Sequence, residues 1–126
     1  MTNTPHSPDR FKGQVVVITG AATGIGQATA VRFGAEGGAV ACLDIETAQN
    51  ESTAAVAAAE GAETLALQCD VRSRDEQEAA IAAVMDRWGR IDVLVTSAGM
   101  YVGGPLPEIP LDRWENLVSV NLTGVL

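Results

Sequence analysis

Four short apolar runs alternate strictly with longer helical stretches, and that alternation restricts the fold more than any other feature of the chain. Gln14–Thr19 (QVVVIT) reads as a buried strand that stops at Gly20. Gly24–Gly37 reads as a helix closed by Gly37 and Gly38. Ala39–Asp44 (AVACLD) is a second strand, and Thr47–Glu60 an alanine-rich helix ending before Gly61. Thr64–Cys69 is a third strand. Ser73-Arg74-Asp75-Glu76 has capping-box spacing and opens a helix that runs to Trp88, ahead of Gly89. Ile81, Val84, Met85 and Trp88 fall on one face of that helix, the face expected to be buried. Ile91–Ser97 (IDVLVTS) is a fourth strand, followed by the Pro/Gly-rich segment Met100–Pro110 and a last helix from Leu111. Strand–helix units in this order predict an α/β protein with a parallel sheet and helices on both faces.

With 126 residues, 47% of them apolar, the chain suits one domain with a normal core. Residues 1–12 are polar and Pro-containing and read as a flexible tail, which leaves 13–126 as the folded unit. The tail has no apolar run of a secretory signal, and no stretch nears the ~20 apolar residues of a membrane span. A cytoplasmic protein with no membrane partner is therefore expected. The net charge is -8 and Lys12 is the only lysine, so no basic stripe is available for nucleic acid. Cys42 and Cys69 lie in apolar runs without metal-ligand spacing and read as small buried hydrophobes. His6, the only histidine, lies in the tail, so no histidine-based metal site or Ser-His-Asp triad is expected within the fold.

In the last helix Leu111, Trp114, Val118, Asn121 and Val125 recur at helical spacing. Trp114 is expected in the core. Asn121 is expected to point inward, where an amide without partners would be costly. The stripe reaches Val125-Leu126 with no Gly, Pro or basic residue to close the helix, so the domain is expected to be incomplete after its fourth strand and part of the next helix. The fourth strand's free edge would then make the chain poorly soluble.

The residues best suited to chemistry are Thr19-Gly20-Ala21-Ala22-Thr23-Gly24-Ile25-Gly26, set between the first strand and the first helix. Gly20 permits a tight turn, Gly24 leaves room for a pyrophosphate, and Gly26 allows close helix–strand packing. The helix's free N–H groups and positive dipole end would face the phosphates. Asp44 ends the second strand eighteen residues after Gly26, the place of the carboxylate that accepts hydrogen bonds from an adenosine ribose. A 2′-phosphate there would meet a like charge, and the neighbouring Ile45 brings no cation, so NAD is expected over NADP. Salt screens the overall charge beyond ~8 Å, so the local helix end decides whether an anionic cofactor is accepted.

With these residues in order, the chain resembles the N-terminal portion of the short-chain dehydrogenase/reductase (SDR) family. That family's TGxxxGxG matches residues 19–26 and its acid after the second strand matches Asp44. Its Asp-Val pair beside the adenine matches Asp70-Val71. Its NNAG is matched in part by Thr96-Ser97-Ala98-Gly99, and its VNxxG by Val120 to Gly124. The resemblance implies a Rossmann-type doubly wound fold and hydride transfer between a nicotinamide cofactor and a secondary alcohol or ketone. It implies that Gly20, Ala22, Thr23, Gly24, Ile25 and Gly26 hold the cofactor. So do Asp44, Ile45, Asp70, Val71, Ser97, Ala98 and Gly99. Of the usual catalytic residues it implies only Asn121; the family's Ser and Tyr-x-x-x-Lys have no match. Tyr101 is the only tyrosine, and no lysine stands four residues beyond it. The tyrosine–lysine pair supplies the family's acid–base chemistry, so no turnover is expected of these residues alone. The resemblance also implies a homodimer or homotetramer. Two other readings compete: a non-catalytic dinucleotide-binding half-domain, and an adenosylmethionine-dependent transferase. The GxxxGxG spacing argues against the transferase.

Overall fold

The computed structural model describes residues 7–126. Its elements are β1 (Val15–Thr19), α1 (Gly24–Ala35), β2 (Ala39–Asp44), α2 (Thr47–Ala59), β3 (Thr64–Gln68), α3 (Arg74–Trp88), β4 (Val93–Thr96) and α4 (Leu111–Asn121). Short 3₁₀ turns lie at Leu106–Glu108 and Thr123–Val125. The strands form one parallel sheet in the order β3-β2-β1-β4. The chain winds outward from β1 to β3 and then crosses to the other side of β1 for β4. This is the expected Rossmann-like, doubly wound arrangement, and its reversal point lies between β1 and β4.

Side chains alternate across a strand, so β1 and β2 serve two cores at once. Val16, Ile18, Val40 and Cys42 pack with Ala30 of α1 and Ala54 of α2. Val15, Val17, Ala41 and Leu43 pack on the opposite face with Cys69 and with Ala80 and Val84 of α3. Burial on both faces explains why these two strands read as unbroken apolar runs. Asn50 of α2 donates from Nδ2 to the carbonyls of Cys42 (2.8 Å) and Leu67 (3.1 Å), which fixes the carboxyl ends of β2 and β3 to each other.

The β4 side departs from expectation. On α3 Val84 is buried and Trp88 packs against the core, but Ile81 and Met85 are exposed. Ile81 lines a surface cleft with Leu94 of β4, which is also exposed. Helix α4 has no buried residue, and Trp114 is half exposed, outside the core. The helix also stops at Asn121, short of Leu126, and a 3₁₀ turn follows. Its attachment is polar: Gln77 donates to the carbonyls of both Val71 and Gly124. Gly124 comes so close to Val71 that a Cβ there would lie 2.8 Å from a Val71 methyl carbon.

Residues 1–6 of the expected tail lie outside the described residues. Arg10 and Phe11, assigned to the same tail, instead dock on α1. Phe11 packs on Phe33 with tilted rings whose centroids are 4.5 Å apart. Its N–H donates to the Glu36 carbonyl at 2.9 Å. The buried Glu36 carboxylate pairs with Arg10 (2.8 Å) and Arg32 (2.6 Å). A buried carboxylate needs such partners, and this need draws Arg10 onto the fold.

Candidate functional site

The glycine-rich turn lies where β1 gives way to α1. Gly20 has φ +68°, and a Cβ there would lie 2.7 Å from the Ala98 backbone. A Cβ at Gly26 would collide with the Gly20 carbonyl oxygen. These two glycines let strand, turn and helix touch. Gly24 differs. Its φ is +59°, and nothing lies within 4 Å of where its Cβ would be. Its open side faces a cleft of about 630 Å³ at the carboxyl ends of the strands.

The start of α1 opens onto the same space. Its N-cap Thr23 makes no side-chain capping bond, and no acid occupies the first turn. The first N–H groups of a helix have no intrahelical partners, and the helix dipole adds partial positive charge. An uncapped helix start beside an open glycine is the donor set that a phosphate fits.

The remaining walls come from the other strand ends. Asp44 and Ile45 follow β2, Asp70 and Val71 follow β3, and Ser97, Ala98 and Gly99 follow β4; with Gly20, Thr23, Gly24 and Ile25 all of these line the cleft. Ala22 and Gly26 do not line it. Ala22 is buried, and its N–H donates to Asp44 Oδ2 at 3.0 Å. Gly26 is buried behind Gly20. Both support the turn from beneath.

Asp44 accepts one hydrogen bond per oxygen, from Ala22 N–H and from Glu46 N–H (2.9 Å). A carboxylate offers about four lone-pair sites, so half its capacity remains for a ligand. Asp70 is held by Arg72, whose Nη2 lies 2.5 Å from Oδ2. The Arg72 hydrogen bonds hold the Asp70 carboxyl below the usual carboxylate range. Burial pushes the Cys42 thiol up to about 11. Burial, then the charges of Glu76 and Asp70, also push the Cys69 thiol up.

Asn121 is exposed, contrary to the expectation of an inward amide. Both ends of its amide are nonetheless engaged. Oδ1 accepts from Met100 N–H at 2.8 Å, and Nδ2 donates to the Met100 carbonyl at 2.9 Å. The side chain holds the loop after β4 without lining the cleft. Thr96 and Ser97 make no side-chain hydrogen bond among the described residues; Thr19 Oγ1 instead accepts from Ala98 N–H at 3.2 Å and joins the two strand ends. Tyr101 is exposed and folds over Gly103.

Arg72, Met100 and Asn116 also line the cleft, and the sequence reading did not include them. Arg72 follows Asp70-Val71 directly, so its place next to that pair was the available signal. Asn116 carried none, since it lies off the apolar stripe of its helix.

A profile described as short chain dehydrogenase matches residues 14–126. D-threitol dehydrogenase of Mycolicibacterium smegmatis is 36% identical over 91% of this chain and 44% of its own length. Sorbitol dehydrogenase of Cereibacter sphaeroides is 36% identical over 93% of this chain and 44% of its own length. A crystal structure of actinorhodin polyketide ketoreductase with NADPH superposes with TM-score 0.85 at 40% identity, over 89% of this chain and 43% of that one. A short chain dehydrogenase structure from Mycobacterium smegmatis superposes with TM-score 0.89 at 34% identity, over 96% of this chain and 50% of that one. The chain spans about half the length of these relatives. That profile spans the glycine turn, the strand-end acids and all four strands, and the chain belongs to the short-chain dehydrogenase family.

Proposed function

We propose that this chain is the cofactor-binding half of an oxidoreductase that uses NAD. The observation that carries the reading is the uncapped, acid-free start of α1 facing the open side of Gly24, with Asp44 on the same cleft. The N–H groups of the turn and first helical residues, around Thr23, Gly24 and Ile25, hold the pyrophosphate. Gly20, Gly26 and Ala22 keep the turn close enough to do so. Asp44 accepts from the ribose hydroxyls. Asp70 and Val71 flank the adenine. Ser97, Ala98 and Gly99 support the cofactor's far end, and Asn121 keeps the adjoining loop in place.

NAD is favoured over NADP because the Asp44 carboxylate would repel a 2′-phosphate. Ile45 supplies no compensating cation, and Arg72 is already paired with Asp70. The nicotinamide supplies the hydride acceptor when the cofactor is bound. The relatives' names point to a secondary alcohol and its ketone as the substrate couple of the whole protein. That protein works as a cytoplasmic homodimer or homotetramer on a small molecule. No helix among the described residues is long and apolar enough to cross a membrane. The 126-residue chain itself binds without turnover. Lys12 precedes β1, at the end of the sheet away from the cleft, and Tyr101 has no lysine partner.

Calorimetric titration of the chain with NAD, NADP and adenosylmethionine tests this reading. NAD should bind most tightly. Asp44→Ala should weaken NAD about tenfold, one hydrogen-bonded contact's worth, and narrow its lead over NADP. Equal NAD affinity in the variant would remove Asp44 from the site. Tighter binding of adenosylmethionine would overturn the assignment.

A further inference from the structure

Helix α4 forms part of the cleft wall through Asn116 and Val120, yet it buries no residue. Polar contacts hold it there. Arg72 donates from Nη1 to Asn116 Oδ1 at 2.6 Å. Its Nε and Nη2 grip the Asp70 carboxylate at 2.5–3.1 Å. Asn116 in turn donates from Nδ2 to the Met100 sulfur at 3.3 Å. Asn121 holds the Met100 N–H and carbonyl. A hydrogen-bonded strap thus runs from the end of β3, through α4, to the loop after β4. Among the described residues Arg72 is its only link between Asp70 and α4.

The charge balance of the cleft also depends on this residue. Asp44, Glu46 and Asp70 place three carboxylates on the lining, and Arg72 is the only cation among the described lining residues. A pyrophosphate adds further negative charge. The guanidinium serves both needs because its nitrogens form a planar fork, so one side can hold a carboxylate while another reaches an amide. A lysine ammonium is a point charge and cannot span both partners.

We propose that Arg72 is a positioning residue for the cofactor: it neutralises Asp70 and couples the β3 edge of the cleft to α4 and the Met100 loop. This rests on the cofactor-binding reading above. The strap makes Arg72 and Asn116 one unit, so their effects on binding are not independent.

The test is NAD titration of the chain and of Arg72→Ala, Arg72→Lys, Asn116→Ala and the double alanine variant. Circular dichroism confirms that each is folded. Arg72→Ala should lose about tenfold in NAD affinity, and added salt should shrink that loss by screening the released Asp70. Arg72→Lys should recover part of it by restoring charge alone. Asn116→Ala should lose about threefold, and the double variant no more than Arg72→Ala. A merely structural role would not give this salt dependence or this lack of additivity. Wild-type affinity in Arg72→Ala, or additive losses in the double variant, would overturn the proposal while leaving the cofactor site intact. Absence of NAD binding by the wild-type chain would overturn the cofactor reading itself, and this proposal with it.

Discussion

Helices α1 and α3 both begin just past the carboxyl end of a strand, and they begin in opposite ways. At α3, Ser73 Oγ accepts from the Glu76 N–H at 3.3 Å, and Asp75 and Glu76 place negative charge in the first turn. That start satisfies itself. The Glu76 carboxylate even reaches back to the Asp70 N–H at 3.1 Å, one turn further than a capping box requires. At α1, Thr23 makes no capping bond and no acid follows. Its N–H groups are left for water or a ligand. The same chain that caps α3 leaves α1 open, and it does so where Gly24 keeps the space clear. The contrast separates a helix start satisfied by its own side chains from one whose first donors the chain's own side chains leave unpaired.

The largest expected effects come from two glycines of the same turn. Gly26→Ala would drive a Cβ into the Gly20 backbone, which has no room to give. Overpacking of this kind should cost about 3 kcal/mol and shift the melting temperature sharply. Gly24→Ala strains a left-handed residue by about 1–2 kcal/mol but meets no protein atom. It should remain folded and lose NAD affinity, because the new methyl would occupy the phosphate's space. Melting curves and NAD titration of both variants check the pair. A Gly24→Ala chain that binds NAD as the wild type does would move the phosphate away from this turn.

Much of this was legible in the sequence, for a physical reason. Parallel strands buried on both faces must be apolar throughout, so β1 and β2 stand out, and the glycines between strand and helix mark a turn that only they can make. The Ser73 cap was readable from spacing alone. The α4 region was not. A helical apolar stripe predicts a buried face only if something covers it, and Trp114 and Leu111 are exposed here. Asn121 stands on that stripe, yet it is exposed and its amide pairs with a loop. Its direction was not readable, because the partners are backbone atoms of Met100 across a loop. The Arg72–Asn116 contact joins residues from separate elements, and no local pattern encodes it.

A smaller effect should come from exchanging the character of the α1 start. Thr23→Asp would install the cap and the charge that α3 already has. Stability should rise by about 1 kcal/mol. NAD affinity should fall, since the new carboxylate takes the N–H groups and repels the phosphates. A variant that gained stability and kept its affinity would show that these N–H groups do not serve a ligand.

The smallest effects compare the two N-caps directly. Ser73→Ala removes a made bond and should cost about 1 kcal/mol in thermal or urea unfolding. Thr23→Ala removes no capping bond, so its unfolding midpoint should stay within about 0.5 kcal/mol of the wild type. Equal losses would mean that Thr23 caps α1 in solution and that both helix starts are of the stabilising kind. A loss confined to Ser73→Ala would leave α1 as the start whose donors the fold itself does not use, the condition under which a phosphate can take them.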